Sequence, residues 1–237
     1  GPDPLQLYVR VDPTIGGNGG GGTGFGQNAG ADSAIVEAAT GALVSYDTNT
    51  VTTAVNRDYA VPTYLAVQAD QPFVEASSGY AGTESDGLVQ LDQDHELTMI
   101  SDEAPDGNVV QTALLAPSPS GVAELVLGFG RTADEAVSTA TATLSRPFDA
   151  LRADYVRGWR KYDDRLAKPP ATFPGLPPDR AMRLRDFYYI GANVVKASED
   201  KQFPGAIVAS LASPWGQAVS AGTAQGGLAP YFGSSTI

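Results

Sequence analysis

The chain has 237 residues, no cysteine, and a net charge of −12 from 27 acidic against 15 basic side chains. That charge argues against nucleic acid, which needs clustered Lys and Arg over phosphate, and against an anionic membrane surface; it reads as a solubility device. Without cysteine there are no disulfides, zinc–thiolate sites, iron–sulfur clusters or thiol nucleophiles.

The length allows one large domain or two small ones. The 27 glycines and 17 prolines imply many turns, and so a β-rich chain rather than a helix bundle. Gly1-Pro2-Asp3-Pro4 has neither the basic nor the apolar part of a signal peptide. No run approaches the roughly 18–20 apolar residues of a membrane span, so the expectation is a soluble chain.

Leu5 to Val11, LQLYVRV, alternates Leu5, Leu7, Val9 and Val11 with Gln6, Tyr8 and Arg10, the period of a strand with one buried face. Such a strand needs a partner, and earlier strands of the same sheet are expected before it. In GGNGGGGTGFG, Gly17, Gly19 and Gly22 satisfy the spacing of a dinucleotide loop. No helical pattern starts at the last glycine to meet a pyrophosphate, so the stretch reads as a surface loop.

From Ala31 to Leu127 short strand candidates alternate with turns: Ala34 to Ala38, Ala42 to Tyr46, Thr50 to Asn56, Tyr64 to Val67, Leu88 to Leu91, Glu96 to Ile100, Asn108 to Leu115 and Ala123 to Gly130. Asp47-Thr48-Asn49, Ser85-Asp86-Gly87 and Asp106-Gly107-Asn108 supply turns between them. With no helices between strands to serve as crossovers, the expectation is an antiparallel sandwich.

Thr132 and Glu135 then make a capping-box pattern ahead of a weakly apolar helix carrying Ala133, Ala136, Val137 and Ala140, and Pro147 breaks or restarts it. Phe148, Leu151, Tyr155, Trp159, Tyr162 and Leu166 step by three and four along the next helix. This stripe reads as a packing face, with a sugar platform as the alternative. Lys168-Pro169-Pro170 ends that helix, and FPGLPP from Phe173 to Pro178 is a stiff connection. A last helix from about Asp179 to Ala197 carries Leu184, Phe187, Tyr188, Gly191 and Val195 on one apolar face.

Few residues look chemical. His95 is the single histidine; it has no G-x-S-x-G elbow to serve and too few companions for zinc, so it reads as a strand residue. Asp92, Asp94 and Glu96 alternate and, in a strand, would share one face. That face is a solvated one or, alternatively, a calcium site. Glu199 and Asp200 are adjacent carboxylates, but neighbours in sequence seldom span the roughly 6.5–9.5 Å of an inverting acid–base pair. They read as structural, bonded to Lys196, Lys201 or a loop amide.

The segment Lys196-Ala197-Ser198-Glu199-Asp200-Lys201, then Phe203-Pro204-Gly205-Ala206-Ile207-Val208-Ala209-Ser210, with Pro214-Trp215-Gly216 behind it, resembles the start of the catalytic domain of bacterial glucoamylases and glucodextranases, glycoside hydrolase family 15. YVRVDP, SSGY, DGNVVQT and LGFG are similar to later strands of that family's N-terminal domain. The resemblance implies a mainly β fold with C-terminal helices. Residues 1–131 would be part of an antiparallel β-sandwich of the galactose-mutarotase-like super-sandwich kind. Residues 132–178 would be a helical linker, and residues 179–237 the truncated start of an (α/α)6 barrel. After Gly226-Gly227 the chain departs from the family pattern, reading Leu228-Ala229-Pro230-Tyr231-Phe232-Gly233 to Ile237.

The resemblance further implies a secreted, inverting, exo-acting enzyme that takes β-glucose from non-reducing ends of α-glucans. Its partners would be an α-glucan or oligosaccharide and the remainder of the catalytic domain. The family's catalytic glutamates lie in a region this sequence lacks, so no catalytic residue and no metal ligand is assigned and the chain alone is expected to be inactive. No cofactor is expected, calcium being the open possibility. Trp215 is the candidate sugar contact, or else a wedge between sandwich and barrel. The alternative function is a non-catalytic carbohydrate-binding or interaction module.

Overall fold

The computed structural model describes residues 5–15, 32–50, 61–200 and 203–207. Described residues up to Arg146 belong to one unit, and those from Pro147 on to another. In chain order the first unit contains β1 (Tyr8–Val11), β2 (Asp32–Val36), β3 (Leu43–Asp47), β4 (Thr63–Ala69), β5 (Glu75–Tyr80), α1 (Gly87–Asp94), β6 (Glu103–Gly107), β7 (Val109–Leu114), β8 (Leu125–Gly130) and α2 (Ala133–Leu144). The second contains α3 (Phe148–Asp163) and α4 (Pro178–Ala197).

The strands form a three-stranded sheet, β1-β7-β5, and a five-stranded sheet, β6-β2-β3-β4-β8. Every ladder is antiparallel, as expected of short strands joined without crossover helices. Alternation sorts the side chains. Leu43, Leu65 and Val67 point to the three-stranded sheet and pack with Ile15, Ala113, Val9 and Val11. Val44, Ala66, Tyr46 and Tyr64 face the other way, against Ala136 and Val137 of α2. Tyr46 and Tyr64 stack with ring centres 5.0 Å apart.

Helix α2 begins as its sequence indicates. Thr132 accepts from the Glu135 amide at 3.1 Å, while Glu135 reaches back to the Arg131 amide at 2.8 Å. The helix lies so close to β8 that a Cβ on Gly128 would fall 2.3 Å from the Ala136 carbonyl oxygen. Glycine below and alanines above allow that approach.

Between the sheets sits one polar network. Gln111, in the middle of β7 and fully buried, accepts from the Ser45 hydroxyl at 2.8 Å. Its Nε2 donates to the Ile35 carbonyl at 2.9 Å and to the Ser78 hydroxyl at 3.0 Å. One amide thereby joins β7 and β5 to β2 and β3, with no unsatisfied polar atom of its own.

Two expected strands are not strands. Leu88 to Leu91 lies in α1, and Glu96 to Ile100 is irregular. Asp86 caps α1, accepting from the Leu88 amide at 3.0 Å and the Gly82 amide at 2.8 Å. Arg10 of β1 closes on the same carboxylate through Nε at 3.0 Å and a second nitrogen at 2.8 Å. Burial alone would raise the Asp86 pKa; the Arg10 guanidinium and the two amides outweigh it and hold that pKa low. The buried face of α1 is Gly87 and Gln90 rather than leucines. A Cβ on Gly87 would strike Thr112 of β7 at 2.4 Å, so the helix rests directly on the sheet. Gln90 then accepts from the Thr98 and Met99 amides, each at 2.8 Å.

Strands β5 and β6 are not among the strands expected from the residue pattern, although SSGY within β5 carries part of the family resemblance. Their residues, EASSGY and EAPDG, carry small and polar side chains without an apolar alternation. Strand β6 is at a sheet edge, where Pro105 is tolerated. The expected strand Thr50 to Asn56 lies outside the described residues after Thr50.

The register Ser33↔Tyr46 places Asp32 across from Asp47, and both are buried. Burial pushes the Asp32 pKa up to about 7; the Ile15 amide at 3.1 Å opposes the shift and the Asp47 charge adds to it. The folded chain therefore holds this proton more tightly than the unfolded chain does. Stability linked to Asp32 is full below about pH 4 and is lost as pH rises toward 7. Asp32→Asn is expected to flatten the unfolding free energy over that window, read by denaturant titration at several pH values; an unchanged profile rejects the assignment. Gln111→Leu is expected to lower stability by about 3 kcal/mol, because Ser45, Ser78 and Ile35 each lose a buried partner. The shift in denaturant midpoint measures it.

Candidate functional site

The second unit carries the aromatic stripe of α3 and the adjacent carboxylates Glu199 and Asp200. Helix α3 starts behind Pro147, whose φ of −56° is already helical in value, and α4 starts with Pro178 at its first position. Along α3, Tyr155 and Trp159 meet edge to face at 6.1 Å, and Trp159 and Tyr162 do so at 6.2 Å. The three-and-four spacing thus makes an aromatic ladder. The Tyr162 hydroxyl donates to the Ala192 carbonyl of α4 at 3.2 Å, and Lys196 stands 5.7 Å above the Tyr162 ring.

This ladder is not a closed packing face. Tyr155 is 68% exposed and Trp159 half-buried. The expected apolar face of α4 is open as well, with Leu184, Phe187, Tyr188 and Val195 exposed. Exposed rings of this kind can stack on the apolar face of a pyranose. The opposite flank of α3 is cationic: Arg152, Arg157, Arg160 and Arg165 line an open depression with Asp149 and Asp164.

Lys196 also ion-pairs with Glu199 at the end of α4. The other Glu199 oxygen accepts from the Gly205 amide at 2.9 Å, and Asp200 accepts from the Phe203 amide at 2.8 Å. The Asp200 amide donates to the Ala206 carbonyl at 2.8 Å, and Glu199 and Ile207 form an isolated bridge. Gly205, at φ +91°, turns the chain where a side chain would be strained. The two carboxylates fasten one tight turn, as the structural reading of them held. With Glu199 committed to a lysine and an amide, the turn offers no pair set to protonate a leaving group and activate water.

The remaining sequence candidates disperse. His95 is not a strand residue. It ends α1 with φ +62°, donating its amide to the Leu91 carbonyl at 3.2 Å. Asp92 and Asp94 lie on α1, where residues two apart point to different sides, and Glu96 follows the cap. The single carboxylate face expected of a strand is therefore absent. All three are exposed, and Asp94 takes a 3.3 Å hydrogen bond from Thr98. Among the described residues no group of three or more His, Cys, Asp or Glu is placed to hold a metal ion. Trp215 and the Gly17, Gly19, Gly22 loop lie outside the described residues. No described helix is long and apolar enough to cross a membrane.

Glu199→Ala is expected to free the 203–207 segment. About 1 kcal/mol of lost hydrogen bonding should speed limited proteolysis there roughly fivefold, with the first unit's unfolding unchanged. Equal cleavage rates would show that the carboxylate does not hold the turn.

Three likenesses to known proteins agree with this architecture. Residues 1–164 match the family model described as glucodextranase, domain N. A glucoamylase of Clostridium sp. (strain G0005) is 33% identical over 153 residues, which is 65% of this chain and 20% of that protein. The crystal structure of a bacterial glucoamylase complexed with acarbose matches at a TM-score of 0.64 and 24% identity, over 87% of this chain and 26% of that one. That last match shows a shared fold, a β-sandwich followed by helices. The chain spans about a fifth of the length of the curated relative it matches. With more than half its residues under the family model, this chain belongs to the glucodextranase N-domain family.

Proposed function

We propose that this chain is part of a glucoamylase- or glucodextranase-type glycoside hydrolase that releases β-glucose, with inversion, from the non-reducing ends of α-glucans. The observation that carries the reading is the domain-N match over residues 1–164, with a glucoamylase as the 33% identical relative. In this reading residues 1–131 are part of an N-terminal sandwich, residues 132–178 are linker helices and residues 179–237 begin an (α/α)6 catalytic barrel. One glutamate would act as general acid and another as general base toward water, and no catalytic residue is assigned within this chain. Trp215 is the residue proposed to meet sugar, and the protein would act outside the cell. An oligosaccharide partner is supported by the acarbose complex of the structural relative.

A second reading, a non-catalytic saccharide-binding module, is favoured by the ladder Tyr155–Trp159–Tyr162, in which Tyr155 is exposed and Trp159 and Tyr162 are half-buried. Glucose release from maltotetraose and isomaltotriose separates the two. A longer polypeptide containing this chain is expected to release β-glucose from at least one substrate, and the 237-residue chain from neither. Turnover by the short chain would place an active site within it. No turnover by the long one would leave the binding module as the function.

A further inference from the structure

A groove in the first unit has the chemistry of a saccharide site, and its described lining includes neither the α3 aromatics nor the Glu199 turn. Its deeper part is a cleft of about 270 Å³ bounded by the β2–β3 turn, the β4–β5 connection and the last turns of α2. A shallower depression of about 540 Å³ continues along α2 and shares Thr40 and Thr141 with the cleft. Together they are in the size range of small-molecule sites.

The cleft is held rigid on each side. On one, the Glu37 carboxylate accepts from the Ala39 amide at 2.9 Å, the Thr40 amide at 2.8 Å and the Thr40 hydroxyl at 2.7 Å. On the other, Asp70 and Glu124 exchange two hydrogen bonds, at 2.9 Å through the backbone and 3.1 Å to the Asp70 carboxylate. Pro72 and the half-buried Phe73 give an apolar wall.

Gln68 lines the cleft and is only 9% exposed. Its Oε1 accepts from the Thr141 hydroxyl at 3.0 Å, which fixes the amide plane. Its Nε2 has no hydrogen-bond partner among the described residues. The Thr141 bond orients this donor while its nitrogen still reaches solvent, so a ligand oxygen can take the place of water there. Among the described residues neither depression is lined by a Lys, Arg or His, while Asp70, Glu37 and Asp134 are all acidic. That lining repels phosphates and carboxylates. It suits a neutral ligand whose hydroxyls donate to Asp70, accept from Gln68 Nε2, and whose ring C–H face meets Phe73.

We propose that this groove is a saccharide subsite that takes a short stretch of neutral glucan chain. The choice of glucan over other neutral polyols rests on the function proposed above. The two adjoining depressions give room for more than one sugar unit, and a site on the β-sandwich would hold polymer near the enzyme rather than cleave it.

The test is a ¹⁵N-resolved NMR titration of the 237-residue chain with maltoheptaose. Saturable shifts are expected at the amides of Thr40, Gln68, Gln71 and Thr141, with a dissociation constant on the order of 1 mM. Gln68→Met keeps the side-chain length and removes the donor; it should weaken binding about tenfold. If that variant does not fold, Gln71→Ala, at an exposed loop position, should weaken binding about threefold. Absence of saturable shifts, shifts confined to Tyr155 and Trp159, or full binding by the folded variants overturns the proposal. Glucose release by the longer polypeptide with a silent groove overturns this site alone. Groove binding without glucose release supports the site and counts against the enzyme.

Discussion

Gln111 sits at the centre of β7, shut off from water, and its amide is bonded to Ser45, Ile35 and Ser78. These partners come from both sheets, so the amide fixes how far apart and in what register the sheets lie. An apolar contact would not do this, because apolar side chains slide against each other at little cost while a hydrogen bond fails beyond a few tenths of an ångström. The apolar cluster of Leu43, Leu65, Val67 and Ala113 supplies attraction around the amide. The geometry comes from the amide, and a buried network of this kind holds a unique arrangement only when every member is satisfied.

The Arg10–Asp86 pair does a related task at the edge. It ties β1 to the start of α1 and lets one carboxylate cap a helix, bind a loop amide and pair with a guanidinium. On the far face of the five-stranded sheet, contact replaces polarity. Gly128 and Gly130 let α2 settle against β8, and that depth brings Thr141 within reach of Gln68. The groove is thus a consequence of two missing methyl groups on β8. The second unit is ordered differently. Its helices keep much of their apolar surface in water, and its ordered interactions gather at Tyr162, Lys196 and the Glu199 turn.

Much of the fold was legible because one rule operated locally. Where a short apolar, β-prone run ends at turn residues, as in β3, β4 and β7, the strand is visible even though both its faces are buried. Where a helix opens with Thr132 and Glu135, the cap is visible. The rule failed where burial was polar. Strand β5 buries Ser77 and Ser78, α1 buries Gly87 and Gln90, and neither leaves an apolar period to read. A signal for α1 did exist: Asp86 ahead of a Leu88, Leu91 spacing is an N-cap with helical period, masked by the turn propensity of Ser85-Asp86-Gly87. The reading of Glu199 and Asp200 as structural held because neighbouring carboxylates diverge, a constraint of backbone geometry alone. The groove had no signal, since Thr40, Gln68, Gln71 and Thr141 are ordinary polar residues far apart in the chain.

By itself the sequence determined the family, the antiparallel sandwich followed by helices, and the places where α2, α3 and α4 begin. The family is carried by resemblance; the strands and the helix starts follow from spacing between near neighbours, which the chain carries whether or not it is folded. Only the tertiary structure decided that Gln111 would be the tie between sheets, that Asp32 would face Asp47 and keep a proton to near pH 7, and that the α3 aromatics would remain open. Those outcomes depend on distances between residues from 15 to 76 positions apart, for example Gln111 to Ile35 and Asp86 to Arg10. Such distances are set by the sum of all packing choices at once, and no local pattern records that sum.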